Sequence, residues 1–414
     1  MKQSIIAIMI ILILTLSGCS GFENNNNTTS NNNITTYDSS DKTEKQPDNI
    51  DDSTDNSSYN ENISEAERIL SEMSLEEKIG QLFIIRPEKL NLNENEIAGL
   101  TEVTDKMLET ISTYNIGGIC MFKDNIISPT QVSSYISSLQ SGSNIPMFIT
   151  VDEEGGLVSR IANCDAFNVT KYESMEAVGA TNNPDNAKLM GTTIGSYLRE
   201  YGFNLDFAPV ADVNTNPSNI VIGNRAFGND PHLVASMVSS AIDGFNSAGI
   251  MCCVKHFPGH GDTTGDTHDG YVSITKTWDN LKECELVPFI TAINNDVDTI
   301  MVSHITTPNI TSDSLPASMS YEMVTERLRN ELGYNGVVIT DAMEMGAIAN
   351  HYTSSTGAVT ALKAGIDIIL MPEDFVEAYN GVYEAVINSD ISEDRIDESV
   401  QRILRLKEKY GILK

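Results

Sequence analysis

Residues 231–257 read "PHLVASMVSSAIDGFNSAGIMCCVKHF", and the change of pattern inside this stretch decides the fold. Its first part, up to Gly249, has helical periodicity, with Val234, Met237, Val238, Ala241, Ile242 and Phe245 on one face. Its second part, "GIMCCVKHF" (249–257), is a continuous apolar run, the mark of a strand covered on both faces. The same alternation recurs along the chain. Further strands are predicted at 81–85, 117–122, 146–151, 203–210, 298–304, 336–341 and 367–372, with helical stretches such as "NAKLMGTTIGSYLREYG" between them. Eight buried strands alternating with helices imply a parallel sheet closed on itself, so the expected fold is α/β, a single (β/α)8 TIM-type barrel over 63–414. Ser64 is the expected cap of an opening helix, and Ile396, Val400, Ile403 and Leu404 form one apolar stripe on a closing helix. Between the first two strands only the middle of the connection looks helical.

The chain has 414 residues, of which 40% are hydrophobic, enough for one large core, and a formal charge of -32. That charge repels phosphate backbones and anionic headgroups, which argues against nucleic acid as a partner. The start, "MKQSIIAIMIILILTLSGCS", has export-signal architecture with an apolar run too short for a comfortable span. Leu16-Ser17-Gly18-Cys19 resembles the bacterial lipoprotein cleavage box. The expectation is therefore a signal peptide over 1–18, a lipid anchor on Cys19 and a location on the extracytoplasmic face of the cell membrane. Residues 19–62 are mostly Asn, Ser, Thr and Asp and read as a disordered tether. The other five cysteines show no disulfide framework. Adjacent Cys252 and Cys253 in a strand would point to opposite faces, which suits neither a mutual bridge nor shared metal ligation.

In such a barrel the active site lies at the C-terminal ends of the strands. Asp152, Asp206, Lys255, His256, His304 and Asp341 are placed there, and so many ionisable groups converging on one mouth point to a ligand rather than to packing. The fifth strand runs into "KHFPGHGDTTGDTHDG" (255–270), with three His, three Asp and four Gly. A metal site is a poor reading of it, because the spacing matches no helical two-His pattern and the glycines make a mobile ligand frame. Proton transfer fits better: Asp266 beside His268 favours imidazolium, an acid that can turn base. Asp341 is the candidate nucleophile across the pocket. His260 reads as a structural loop residue, and Glu344 as an early residue of the helix after strand seven.

The runs "VDEEGGLVSR", "LDFAPVADVN", "IGNRAFG", "KHFPGHGDTTGDTH", "LPASMS" and "ITDAMEMGAI", in this order, closely resemble glycoside hydrolase family 3, in its β-N-acetylglucosaminidase branch. The resemblance covers almost all of 63–414. It implies a retaining mechanism in which Asp341 attacks the anomeric carbon while His268, oriented by Asp266, protonates the departing oxygen and later deprotonates water. It also implies that Asp152, Arg160, Arg225, Lys255 and His256 hold the sugar before the cleaved bond. The bland alternatives are a helix cap for Asp152, a surface position for Arg160, and pairing of Arg225 with Asp230 or Asp212. Where relatives often have "DQEGGRV", this chain has "DEEGGLV", with Glu153 and Leu157.

The leading expectation is an exo-acting β-N-acetylglucosaminidase acting on N-acetylglucosamine-containing glycans or muropeptides, a monomer, with no metal and no cofactor. Two other readings stand beside it. One is a β-N-acetylglucosaminide phosphorylase, because like charge would not repel phosphate from His268 as it would from a carboxylate acid. The other is a non-catalytic glycan-binding lipoprotein of the cell wall.

Overall fold

The computed structural model describes residues 63–92, 98–268 and 270–413. The export signal, Cys19 and the tether lie outside the described residues. Eight parallel strands form one sheet: β1 (Phe83–Ile85), β2 (Gly118–Met121), β3 (Phe148–Val151), β4 (Leu205–Asp206), β5 (Met251–Phe257), β6 (Thr299–Val302), β7 (Val337–Thr340) and β8 (Ile369–Leu370). Each pairs with its neighbour in sequence, and β8 returns to β1 through Phe83↔Ile369 and Ile84↔Leu370. The bridge Ile339↔Ile368 joins β7 to β8 and closes the ring.

All eight expected strands are present, each shorter than its apolar run. The physical reason is clearest at β4, where the continuous ladder covers Leu205 and Asp206, Pro209 then offers no N–H to extend it, and pairing resumes only as the single bridge Val210↔Lys255. The other runs lose residues at the closed end, such as 81–82, 146–147 and 249–250, as well as at the mouth, such as 303–304, 341 and 371–372. Glycines set the closeness of the helical layer. A Cβ on Gly244 would stand 2.3 Å from the Lys188 carbonyl oxygen, and one on Gly191 would stand 2.4 Å from that of Ala241, so helices Pro184–Tyr201 and Pro231–Ala248 touch backbone to backbone.

The strands are buried on both faces, which is why they read as unbroken apolar runs. Ser64 caps helix Glu65–Glu72 with a reciprocal Glu67 bond. Ile396, Val400, Ile403 and Leu404 of the last helix, Glu393–Lys409, are all buried. Cys252 and Cys253 are free thiols in the core.

Candidate active site

The mouth of the barrel opens into a cavity of about 400 Å³. Asp152, Arg160, Arg225, Lys255, His256, His268 and Asp341 all line it. Asp266 stands behind His268.

Asp341 follows β7 directly, and its backbone N–H donates to the Val302 carbonyl at 2.8 Å, which fixes where the side chain leaves the strand. Its Oδ1 accepts the Ala342 N–H at 2.8 Å. Burial alone would raise this carboxyl, but His256, His304 and the Ala342 N–H outweigh it and hold the group below the usual carboxylate range. An ionised carboxylate therefore faces the cavity.

His268 sits opposite, on the loop after β5. Its Nδ1 lies 2.7 Å from Asp266 Oδ1, and its own backbone N–H donates to the same oxygen at 2.9 Å. Burial raises the Asp266 carboxyl, yet these two bonds bring it below its ordinary value, so it is a carboxylate. With Nδ1 engaged, Nε2 is the ring nitrogen left to exchange a proton with a bound molecule. The ring is open to solvent, with 68% of the side chain exposed.

The floor of the cavity is a network of buried ions. Lys255 Nζ lies 2.7 Å from both Asp152 and Glu154, and Arg225 makes a two-pronged pair with Glu154 at 2.7 and 2.8 Å. Arg160 reaches Asp152 at 3.4 Å and stands over the Phe122 ring. Despite burial, the two cations hold the Glu154 carboxyl far below its usual range. Burial would lower Lys255, but Asp152 and Glu154 raise it instead. Arg225 thus pairs with neither Asp230 nor Asp212, the two partners considered from sequence. Asp152 caps no helix but carries two cations.

Several functional residues escaped the sequence reading. Glu154 is the centre of the network, and strand parity could have found it, since positions two apart in extended chain share a face. Glu153–Gly155 is a short strand, so Glu154 joins Asp152 at the cavity while Glu153 turns inward. There Glu153 accepts the N–H groups of Arg160, Ile161 and Ala162 and the Tyr197 hydroxyl. Asp212, within the quoted "VADVN", is fully buried and holds His256 Nδ1 at 2.7 Å and the His260 N–H at 2.5 Å. It thereby points His256 Nε2 towards Arg225 and the cavity.

For four residues around the mouth, the structure corrects or completes what the sequence implied. Asp206 does not reach the cavity: it is buried beneath it, accepts the Glu153 N–H at 2.9 Å, and is pushed by burial towards the neutral acid. His304 is also buried and braces Ala342, the residue after Asp341. A carbonyl can only accept, so His304 Nε2 donates to Ala342 O at 2.9 Å and Nδ1 accepts from the Ser318 hydroxyl at 2.7 Å. Glu344 is no ordinary helix residue, because it precedes helix Gly346–Ala349, lines the cavity and meets Arg86 at 3.2 Å. His260 is structural through Nδ1, which meets Thr263 Oγ1 at 2.7 Å, yet its buried Nε2 has no partner among the described residues and the ring lines the cavity.

The three loop histidines are thus directed to three different partners, Asp212, Thr263 and Asp266. Among the described residues no group of three or more His, Cys, Asp or Glu side chains is placed to hold a metal ion.

The fold and the cavity thus define a closed parallel barrel that brings an ionised carboxylate and an Asp-held imidazole together at its mouth. Comparison with known proteins narrows the class. Residues 74–406 match the glycosyl hydrolase family 3 N-terminal domain, and the chain belongs to that family. It is 33% identical over 337 residues to a β-hexosaminidase A of Pseudoalteromonas piscicida, covering 75% of this chain and 56% of that protein. It is 33% identical over 285 residues to a β-hexosaminidase of Nitrosomonas eutropha, covering 67% of this chain and 80% of that one. Among solved structures, a family 3 β-N-acetylglucosaminidase from Paenibacillus sp. superposes with a TM-score of 0.76 at 38% identity, covering 82% of this chain and 63% of the other. The chain thus spans little more than half of the first relative and about four fifths of the second.

Proposed function

We propose that this chain is an exo-acting, retaining β-N-acetylglucosaminidase that removes terminal N-acetylglucosamine from peptidoglycan fragments or related glycans. The observation that carries this is the joint presence of Asp341 and the His268–Asp266 dyad at one small cavity. The hexosaminidase names of its relatives support the choice of sugar.

On this reading two displacements follow one another. An Asp341 oxygen bonds to the anomeric carbon as the bond from that carbon to the leaving oxygen breaks, and His268 Nε2 gives its proton to that oxygen. His268, now neutral, takes a proton from water; the water oxygen bonds to the same carbon and the ester to Asp341 breaks. Two inversions retain the configuration, and they require the two groups about 5–5.5 Å apart when substrate is bound. Lys255, Arg225, Arg160, Asp152 and His256 supply donors and acceptors for the sugar substituents. Their mutual pairing keeps them in place before substrate arrives, so little ordering remains to be done on binding.

The test is release of 4-nitrophenol from its β-glycosides of N-acetylglucosamine, N-acetylgalactosamine and glucose, followed by trapping with a fluorinated N-acetylglucosaminyl analogue. The expected result is preference for N-acetylglucosamine and a label on Asp341. A label on another side chain would remove the proposed mechanism.

On the same reading the enzyme works outside the cytoplasmic membrane as a monomer, held by acyl chains on Cys19 after loss of 1–18. Support for the anchor comes from the sequence of the first 62 residues alone. Radiolabelled palmitate should enter the wild-type chain and not Cys19→Ala, and the variant should leave the membrane fraction.

A further inference from the structure

The loop that carries His268 is held differently at its base and at its tip. At the base, Lys276 bridges Asp262 and Glu285, the Asn219 amide donates to the His260 carbonyl at 2.8 Å, and a Cβ on Gly261 would stand 1.9 Å from the Val213 carbonyl oxygen. That end is buried and tied to the barrel. The tip, with Asp266 and His268, projects over the cavity with its imidazole in solvent.

What the tip rests on is the segment just after the nucleophile. The Gly346 N–H donates to the His268 carbonyl at 3.1 Å, and the Ala347 N–H donates to the Thr267 carbonyl at 3.0 Å. A Cβ on Gly346 would stand 2.4 Å from that His268 oxygen, so only glycine leaves room for this approach. Just beyond, the half-exposed Tyr271 ring stacks on His351, centroids 4.2 Å apart and planes 18° from parallel, and its hydroxyl reaches that of Tyr352 at 3.3 Å. Residues 272–273 then pair with 305–306. Burial and the Tyr352 contact push the Tyr271 hydroxyl up to about 12, so it stays a neutral donor at working pH.

Resting on the site reading above, we propose that Gly346, Tyr271 and His351 form a clasp that positions the proton-transferring His268 against the nucleophile's own strand end. None of the three touches substrate; they are positioning residues. The argument is one of occupancy: a loop with flexible glycines and an exposed imidazole spends little time in the productive place unless something holds its tip there. Two main-chain bonds and one ring stack do so here. Because the dock begins five residues beyond Asp341, acid and nucleophile are set by one short stretch of chain.

The experiment compares leaving groups. A phenyl β-N-acetylglucosaminide needs its departing oxygen protonated, whereas the 2,4-dinitrophenyl glycoside departs unaided. Tyr271→Ala and Gly346→Ala should lower kcat/KM for the phenyl glycoside by roughly tenfold or more, a fraction of what a positioned acid supplies, and change the dinitrophenyl glycoside less than about twofold. Tyr271→Phe, which keeps the stack, should recover most of the loss. His268→Ala is the reference. If it shows this split between substrates and Tyr271→Ala and Gly346→Ala do not, the clasp is refuted while the acid assignment stands. If His268→Ala lowers both substrates equally, the acid assignment falls and the clasp falls with it.

Discussion

Among the described residues Lys255 and Lys407 are the most deeply buried lysines, one at each end of the barrel. At the mouth, Lys255 is enclosed by the carboxylates of Asp152 and Glu154, each 2.7 Å away, and its ammonium group is held above the ordinary lysine range. At the closed end, Lys407 of the last helix meets, among the described residues, the Gln81 side-chain oxygen at 2.7 Å, the Gly117 carbonyl at 3.3 Å and the face of Phe148, and no carboxylate. Burial without a carboxylate lowers it to about 7. Burial of a charge is costly in either place. At the mouth opposite charges offset it and leave a polar floor facing the cavity; at the base nothing comparable does, so the residue acts on stability alone. Substitutions at the mouth should thus be read in turnover, and those at the base in unfolding.

The largest separation of the two ends is expected at Asp341, the proposed nucleophile. Asp341→Ala should reduce kcat by about 10⁴-fold or more, since on the proposed mechanism this residue forms the covalent intermediate and has no substitute. Turnover of 4-nitrophenyl β-N-acetylglucosaminide measures it, with unfolding midpoint as the control that should stay close to wild type. Near-normal turnover would break the comparison at its root. His268→Ala comes next, with a loss of about 10²–10⁴ for substrates that need a proton, the usual contribution of a positioned acid and base. Because this ring is exposed, its removal should cost no measurable stability.

Glu154→Gln sharpens the comparison by making the mouth resemble the base. It leaves Arg225 without a charged partner and Lys255 with Asp152 alone, which breaks a buried network by removing one member. A destabilisation of about 3 kcal/mol is expected in urea unfolding, together with a raised KM. A variant as stable as wild type would mean that the network is solvated and that Glu154 is dispensable.

How much of this was legible in the sequence differs between the same two ends. All eight strands could be read because each is buried on both faces and so unbroken in apolar character, and only their ends were misjudged, where backbone leaves the ladder. The Asp266–His268 hydrogen bond was legible because the two are near neighbours in sequence, and Asp341 as a residue of the mouth because it ends a strand. The partners of Lys255 and His256 were not. Glu154 and Asp212 lie 101 and 44 positions from Lys255 and His256, respectively, and only closure of the barrel joins them. Asp206 misled for the converse reason: it ends a strand like Asp152, but its carboxyl turns beneath the cavity floor. Lys407 was invisible. It lies in a helix otherwise rich in charge, "EDRIDESVQRILRLKEK", where a lysine ordinarily faces water.

Lys407→Met is the smallest of these effects and the one that isolates the base. Lys407 has a folded-state value of about 7, against an ordinary 10.5, so between these values the unfolded chain binds more protons than the folded one. Stability contributed by this residue therefore rises with pH through that window, and is lowest below about pH 7, where the buried ammonium is charged. Methionine fills a similar volume without the charge but leaves Gln81 and Gly117 oxygens without their donor, at a cost of about 1–3 kcal/mol. That second term does not depend on pH; the first does. Relative to wild type, the variant should gain about 2–3 kcal/mol in unfolding free energy as pH falls from 9 to 6, with kcat unchanged at either value. A difference that stays flat across this range would show that Gln81, Gly117 and the Phe148 ring already compensate the charge, and the two ends of the barrel would then be alike.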